Sequence, residues 1–170
     1  MEPLHEKHVE LDFAALMSSR EHLRSSLNWG DWPRADFKLE ENRKDLIRHW
    51  TEFERREAYA YTVLSPDRSR CLGCVYLNPA KENPRHAVLA FWVVEDQLAH
   101  DLDRHLLTTL VAWTQAHWPL DAIAVPNRTE YPRGAELLTA SGFHRKKDSP
   151  SPMYVWKRRG DSSNSKPSHE

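Results

Sequence analysis

Glycine is scarce in this chain. Only five are found in 170 residues, at Gly30, Gly73, Gly134, Gly142 and Gly160, so any loop that needs glycine must lie at one of those places. Cysteine is rarer still: Cys71 and Cys74 stand together as Cys-Leu-Gly-Cys. No second such pair and no matching His-x-x-x-His follows, which argues against a zinc set built on the motif. An excess of either charge is also missing. Lys and Arg number 24 against 25 Asp and Glu, a formal net charge of -1. That balance leaves no basic stripe for nucleic acid and no acidic solvating block. No apolar run approaches the roughly 18 residues of a membrane span. The opening Met-Glu-Pro-Leu-His-Glu-Lys-His has no apolar signal core, so the expected location is the cytoplasm, with no membrane partner. Mean hydropathy is -0.75, that of a chain with a wet surface. Tryptophan, at seven residues, is abundant instead.

The length suits one domain with a sizeable core, expected over 1–159. The stretch from Gly160 to Glu170 has no apolar residue and reads as a disordered tail. Val9 and Leu11 alternate with polar residues and predict a short first strand. Asp12 then caps an apolar helical stripe running to about Leu27. After the turn-rich Asn28-Trp29-Gly30-Asp31-Trp32-Pro33, a second helix opens at Glu40, with Leu46, Ile47, Trp50 and Phe53 on one side. Strands are predicted at Tyr59–Leu64, Arg70–Leu77 and Ala87–Val94, the last continuously apolar and so buried on both faces. Short turns between them imply an antiparallel meander. On the Arg70–Leu77 strand, side chains three apart point to opposite faces. The two sulfurs are therefore expected apart, as reduced packed thiols with neither disulfide nor metal. A long helix follows through Leu102, Leu106, Leu107 and Leu110, then a strand at Asp121–Val125 and a helix from Arg133 to Ser141. Gly142 stops that helix. A short strand at Phe143–Arg145 and a last one at Met153–Trp156 complete the pattern. The order defines an α+β, or mixed α/β, protein with one parallel right-handed crossover.

This order, with Gly73–Pro79, Phe91–Leu107 and Glu136–Phe143, resembles the GNAT superfamily of acyl-CoA-dependent N-acyltransferases from Val9 to Trp156. The resemblance implies a three-layer fold, a mixed and mostly antiparallel sheet flanked by helices. It implies transfer of an acetyl group from acetyl-CoA to a primary amine of a small molecule or peptide, without a metal. It allows a homodimer through the C-terminal strands. In that family a Gly-rich loop after the central strand opens a helix and binds the pyrophosphate of coenzyme A. Counting back from Leu106-Leu107 puts Leu98 at the family's Arg/Gln place, and Ala99, Asp101 and Asp103 at its glycine-like places. With Val93, Val94, His100, Leu102 and Arg104, these are the cofactor-binding candidates. Two carboxylates beside a phosphate repel it unless they face solvent or cap the helix. The departure keeps open a second reading: a GNAT-fold ligand-binding or protein-interaction module without catalysis.

N-acyl transfer needs a route for the amine proton, donors to the oxyanion and an acid for the leaving thiolate. Backbone N–H near Val93 or Val94 is the expected oxyanion donor. Glu95, at the end of the central strand, and His86, at its start, are the candidate bases. The family's tyrosine place holds Leu138 and its asparagine place holds Tyr131. Tyr131 is either the displaced acid or a loop aromatic before Pro132. Trp29, Asp31 and Trp32 lie where GNAT-like folds line the acceptor site. They either receive a cationic amine or, for the two tryptophans, cover the core.

Overall fold

The computed structural model describes residues 1–147, 149 and 152–158. The expected tail at 160–170 lies outside them. Strand β1 is only Glu2–Pro3, followed by a 3-10 turn at Glu6–His8. Helix α1 (Val9–Ser18) runs into α2 (Arg20–Ser26), and α3 spans Leu39–Glu54. Strands β2 (Tyr59–Leu64), β3 (Cys71–Pro79) and β4 (His86–Val93) follow. A 3-10 segment at Glu95–His100 leads to α4 (Leu102–His117), then β5 (Ala122–Pro126), α5 (Pro132–Ala140), β6 (His144–Arg145) and β7 (Met153–Lys157).

The strand expected at Val9–Leu11 is instead the first turn of α1. Val9, Asp12 and Leu16 are buried at helical spacing, and that period overrides the brief alternation. The 3-10 turn before it is closed by its own histidines. The His5 ring accepts the Lys7 N–H, and the His8 ring accepts the His5 N–H, both at 3.1 Å. The single helix expected to Leu27 breaks at Ser19, whose φ is -114°. The break frees the Ser19 hydroxyl to accept the Glu95 N–H at 2.9 Å, tying α1–α2 to the end of the central strand.

The seven strands form one sheet in the order β1-β2-β3-β4-β5-β7-β6. Every pairing is antiparallel except β4 with β5, which α4 connects as the expected crossover. Two cores lie against the sheet. One holds Leu89, Val93, Leu107, Leu110, Ile123 and Phe143, beneath α4 and α5. The other holds Leu4, Leu16, Leu23, Leu46, Cys74 and Trp92, beneath α1 to α3. This is the expected three-layer arrangement. Among the described residues no helix is long and apolar enough to cross a membrane.

The Cys-Leu-Gly-Cys segment departs from simple alternation. Register shifts by one residue between Val63 and Leu64, so Leu64 pairs with Cys71 while Val63 pairs with Gly73. A bulge of this kind re-aims side chains. Both sulfurs therefore turn to the α1 side of the sheet, where both cysteines are free and buried. Gly73 is required there: an added Cβ would lie 2.1 Å from the Trp92 carbonyl oxygen.

Candidate active site

Strands β4 and β5 pair over three residues only, from His86 with Ala122 to Val88 with Ala124, and then part. The opening is a cleft with a cavity of about 70 Å³. Its walls include Phe91 and Val93 of β4, Val125 of β5, His22 of α2, Tyr131 and Asp103. The β3–β4 ladder fixes which backbone groups face it. Val94 N–H donates to the Leu72 carbonyl at 2.9 Å, so residue 94 and alternate residues before it bond to β3. The amides of Phe91 and Val93 consequently point into the parting. Val94 is thereby excluded as an oxyanion donor, leaving Val93 of the expected pair.

The glycine-free loop takes a defined course. Asp101 adopts a left-handed conformation, φ 54°, immediately before α4, where glycine is the easier residue. Leu98 lines the cleft, while Ala99, His100, Asp101 and Arg104 are exposed and Leu102 is half-buried. Asp103 is turned inward and only 4% exposed. Arg133 of α5 meets it side-on, Nε to Oδ2 at 2.7 Å and Nη2 to Oδ1 at 2.8 Å. The same Nη2 donates to Asp101 Oδ1 at 3.0 Å and to the Leu98 carbonyl at 3.2 Å. Two carboxylates that would repel a phosphate are thus held by one guanidinium, and Arg104 adds a second positive charge beside Asp101. The backbone N–H groups of Leu102 and Asp103 have no partner among the described residues. Together with the helix dipole they form an end that favours an anion.

The two sides of the cleft are joined over its mouth. Arg128, after β5, donates from Nη1 to the Arg24 carbonyl of α2 at 3.0 Å. The Asn127 side chain donates to the carbonyls of Arg128 at 2.8 Å and Tyr131 at 3.2 Å, shaping the loop that carries Tyr131. Gly134 lets α5 press against this loop, since an added Cβ would stand 2.1 Å from Asn127 Oδ1. The His22 and Tyr131 rings meet edge to face, with centroids 5.9 Å apart. Burial lowers the His22 pKa below its ordinary 6.5, while the Glu95 charge works against that fall. Burial also raises the Tyr131 pKa above 10.

The structure therefore gathers Val93, Leu98, Asp103 and Tyr131 at one cleft, with Glu95 at its edge. It does not bring His86 there: that residue is exposed at the far end of β4. Val94 packs into the second core. Trp29 lines the cleft and also stacks edge-on with Trp32 and Tyr76 at 5.2 and 5.4 Å, so it is both wall and core cover. Trp32 packs on Phe37, and the Asp31 side chain is 87% exposed, 3.5 Å from Arg24. Sequence reasoning missed His22 and Arg133. Nothing distinguished His22 among ten histidines, and the partners of Arg133 lie about thirty residues away.

No family model matches the chain, and no curated relative does. Solved structures match over nearly its whole length. The ribosomal L7/L12 alpha-N-protein acetyltransferase in complex with coenzyme A is 16% identical, with TM-score 0.77 over 92% of each chain. The ribosomal-protein-S5-alanine acetyltransferase from Vibrio fischeri is 14% identical, with TM-score 0.76 over 92% of this chain and 91% of that one. The microcin C7 self-immunity acetyltransferase, in complex with acetyl-CoA and AMP, is 10% identical, with TM-score 0.77 over 93% and 91%. The chain has the fold of the GNAT acetyltransferases.

Proposed function

We propose that this chain is an acetyl-CoA-dependent N-acetyltransferase, one catalytic domain over 1–159, acting on a primary amine of a small molecule or peptide. The observation that carries the reading is the parting of β4 and β5 beside the free N-terminus of α4. An extended thioester arm fits against the unpaired Phe91 and Val93 amides, and a diphosphate fits the first turn of α4. Arg133, bound to both Asp101 and Asp103, together with Arg104 beside Asp101, balances the two carboxylates in place and removes the objection they raise. That pairing supports cofactor binding, and His22, Val93 and Tyr131 lining one cleft favour an enzyme over a module that has lost catalysis.

When bound, acetyl-CoA supplies the acyl group as a thioester. The residues of the chain do the rest. The neutral amine forms a C–N bond as the C–S bond breaks. His22, held neutral near pH 7 by burial, takes the amine proton, with Glu95 stabilising the imidazolium that results. The Val93 N–H donates to the developing oxyanion. The Tyr131 hydroxyl, kept protonated by burial, gives its proton to the leaving thiolate and regains one from solvent. Trp29 and Asp31 border the side from which an amine enters. The same reading carries a cytoplasmic location, no nucleic-acid partner, and a homodimer through β6 and β7 that size-exclusion chromatography tests.

Calorimetric titration with acetyl-CoA, followed by an amine panel that tracks released thiol, tests the proposal. Saturable binding and thiol release with at least one amine are expected. No heat and no thermal shift at millimolar acetyl-CoA would overturn it. Binding without thiol release across the panel would favour the non-catalytic module.

A further inference from the structure

On the opposite face of the sheet from α4 and α5, three side chains converge that acyl transfer does not use. They are Asp12 of α1 and Cys71 and Cys74 of β3, all buried, with their donor atoms within 4.8 Å of one another. The bulge between Val63 and Leu64 brings the two sulfurs to one side; regular pleating would have separated them. Both sulfurs face the same carboxylate oxygen. Cys74 Sγ is 3.2 Å from Asp12 Oδ1, and Cys71 Sγ is 4.0 Å from it. The other oxygen, Oδ2, accepts the Asn42 Nδ2–H at 2.9 Å, which fixes the carboxylate with Oδ1 turned to the thiols. Asn42 is itself 2% exposed, so this second contact is as buried as the first.

Asp12 is 3% exposed, with thiols and an amide around it and no cationic side chain bonded to it among the described residues. Asp45 is the charged side chain that acts on it, and it repels. Beyond Asn42, the partners of Asp12 are thiols, which are weak donors. A divalent ion would replace the two thiol protons and draw the carboxylate and both sulfurs into one coordination shell, at unchanged net charge. The spacing suits one ion. Zinc bonds of about 2.3 Å to sulfur and about 2.0 Å to oxygen put ligand atoms roughly 3.5 to 3.8 Å apart in a tetrahedron. The lower figure is the sulfur–oxygen value, and the observed separations of 3.2 and 4.0 Å fall on either side of it. Thiolate sulfur selects zinc over magnesium or calcium, and the carboxylate selects it over copper(I). Thr62 Oγ1, 3.5 Å from Cys71 Sγ and fully buried, is a neutral oxygen beside the three donors. Asn42 then plays the outer role that such sites require, holding a ligating carboxylate from behind.

We propose that Asp12, Cys71 and Cys74 form a structural zinc(II) site that locks α1 to β3. Binding displaces the two thiol protons to solvent; the metal changes no oxidation state. Because the donors are sealed beneath α1, the ion loads as the chain folds. It lies on the far side of the β3–β4 ladder from α4, so it takes no part in acyl transfer.

The test is to unfold the full chain with chelator, refold it with or without one equivalent of zinc(II), and count metal after gel filtration. About one zinc per chain and a higher Tm in the zinc-refolded protein are expected. Cys74→Ser and Asp12→Asn should each lose at least tenfold in zinc affinity. If those variants fold poorly, X-ray absorption on the zinc-refolded wild type decides: two sulfur neighbours at about 2.3 Å are expected. Failure to retain zinc, a zinc shell of nitrogen and oxygen only, or equal retention by soluble variants would overturn the proposal. Retained zinc with no acetyl-CoA binding would leave this site standing and remove the catalytic reading instead.

Discussion

Arg133 has the most to answer for among single residues. It faces a carboxylate that is almost fully enclosed, so truncating it strands Asp103 without a countercharge. Arg133→Ala is expected to cost about 2 kcal/mol of stability by denaturant melts. It should also raise the KM for acetyl-CoA at least tenfold, because the anion site regains its repulsion. Adding Asp103→Asn to that variant should recover most of the stability but not the native affinity. Recovery of neither would mean that Arg133 acts through packing alone. His22 makes a different prediction. Desolvation lowers its pKa, and Glu95 opposes that effect. The acidic limb of kcat/KM should therefore fall below pH 6.5 and move further down in Glu95→Gln, where the opposing charge is gone. A limb that stays put or moves up in that variant would remove His22 as the base.

At the scale of elements, β1 shows how two residues are held to a sheet. Glu2 pairs with Lys7 at 3.0 Å, with His8 at 2.8 Å and with Arg68. Hydrogen bonds from Lys7, Arg68 and His8, in that order, bring its pKa from 4.5 to about 2. A carboxylate with a depressed folded pKa stabilises fully above its unfolded value. This contribution should be lost as pH falls from 4.5 through about 2. Glu2→Gln should flatten the acid limb of a Tm-against-pH curve in that window. An unchanged slope would show that β1 is held by its backbone alone. At the bulge, Gly73→Ala places a Cβ against the rigid Trp92 carbonyl. A loss of about 3 kcal/mol is expected in urea melts; a neutral result would mean that β3 and β4 can separate freely.

Much at this scale is readable from residues alone. The Leu102–Leu110 stripe, the apolar run in β4 and the Gly142 stop each carry a period or a backbone demand that no distant contact alters. Val9 and Leu11 mislead because three residues cannot separate a period of 2 from one of 3.6. Cys71 and Cys74 mislead because the bulge belongs to the pairing with β2 and leaves no mark in their own segment.

For the whole molecule, one sheet backs both cores, and Ser19 and Arg128 join the helical layer to the cleft. The two cores should therefore unfold together. Near- and far-ultraviolet circular dichroism are expected to give one coincident urea transition. Two separated transitions would mean that the α1–α3 layer opens independently of the α4–α5 layer.

Composition and periodicity by themselves determined the α+β order of elements, the single parallel crossover and the glycine-free loop before α4, since burial pattern and backbone freedom are local properties; the layering was what the family resemblance implied. Which charges meet was decided only by the tertiary structure. The chain leaves Asp101 and Asp103 looking hostile to phosphate, and Arg133 answers them from another helix. The lone Cys-x-x-Cys looks inert until α1 lays Asp12 across it. The physical reason is the same in both places: electrostatic balance depends on distance in space, and residues thirty or sixty positions apart reach that distance only when the sheet has formed.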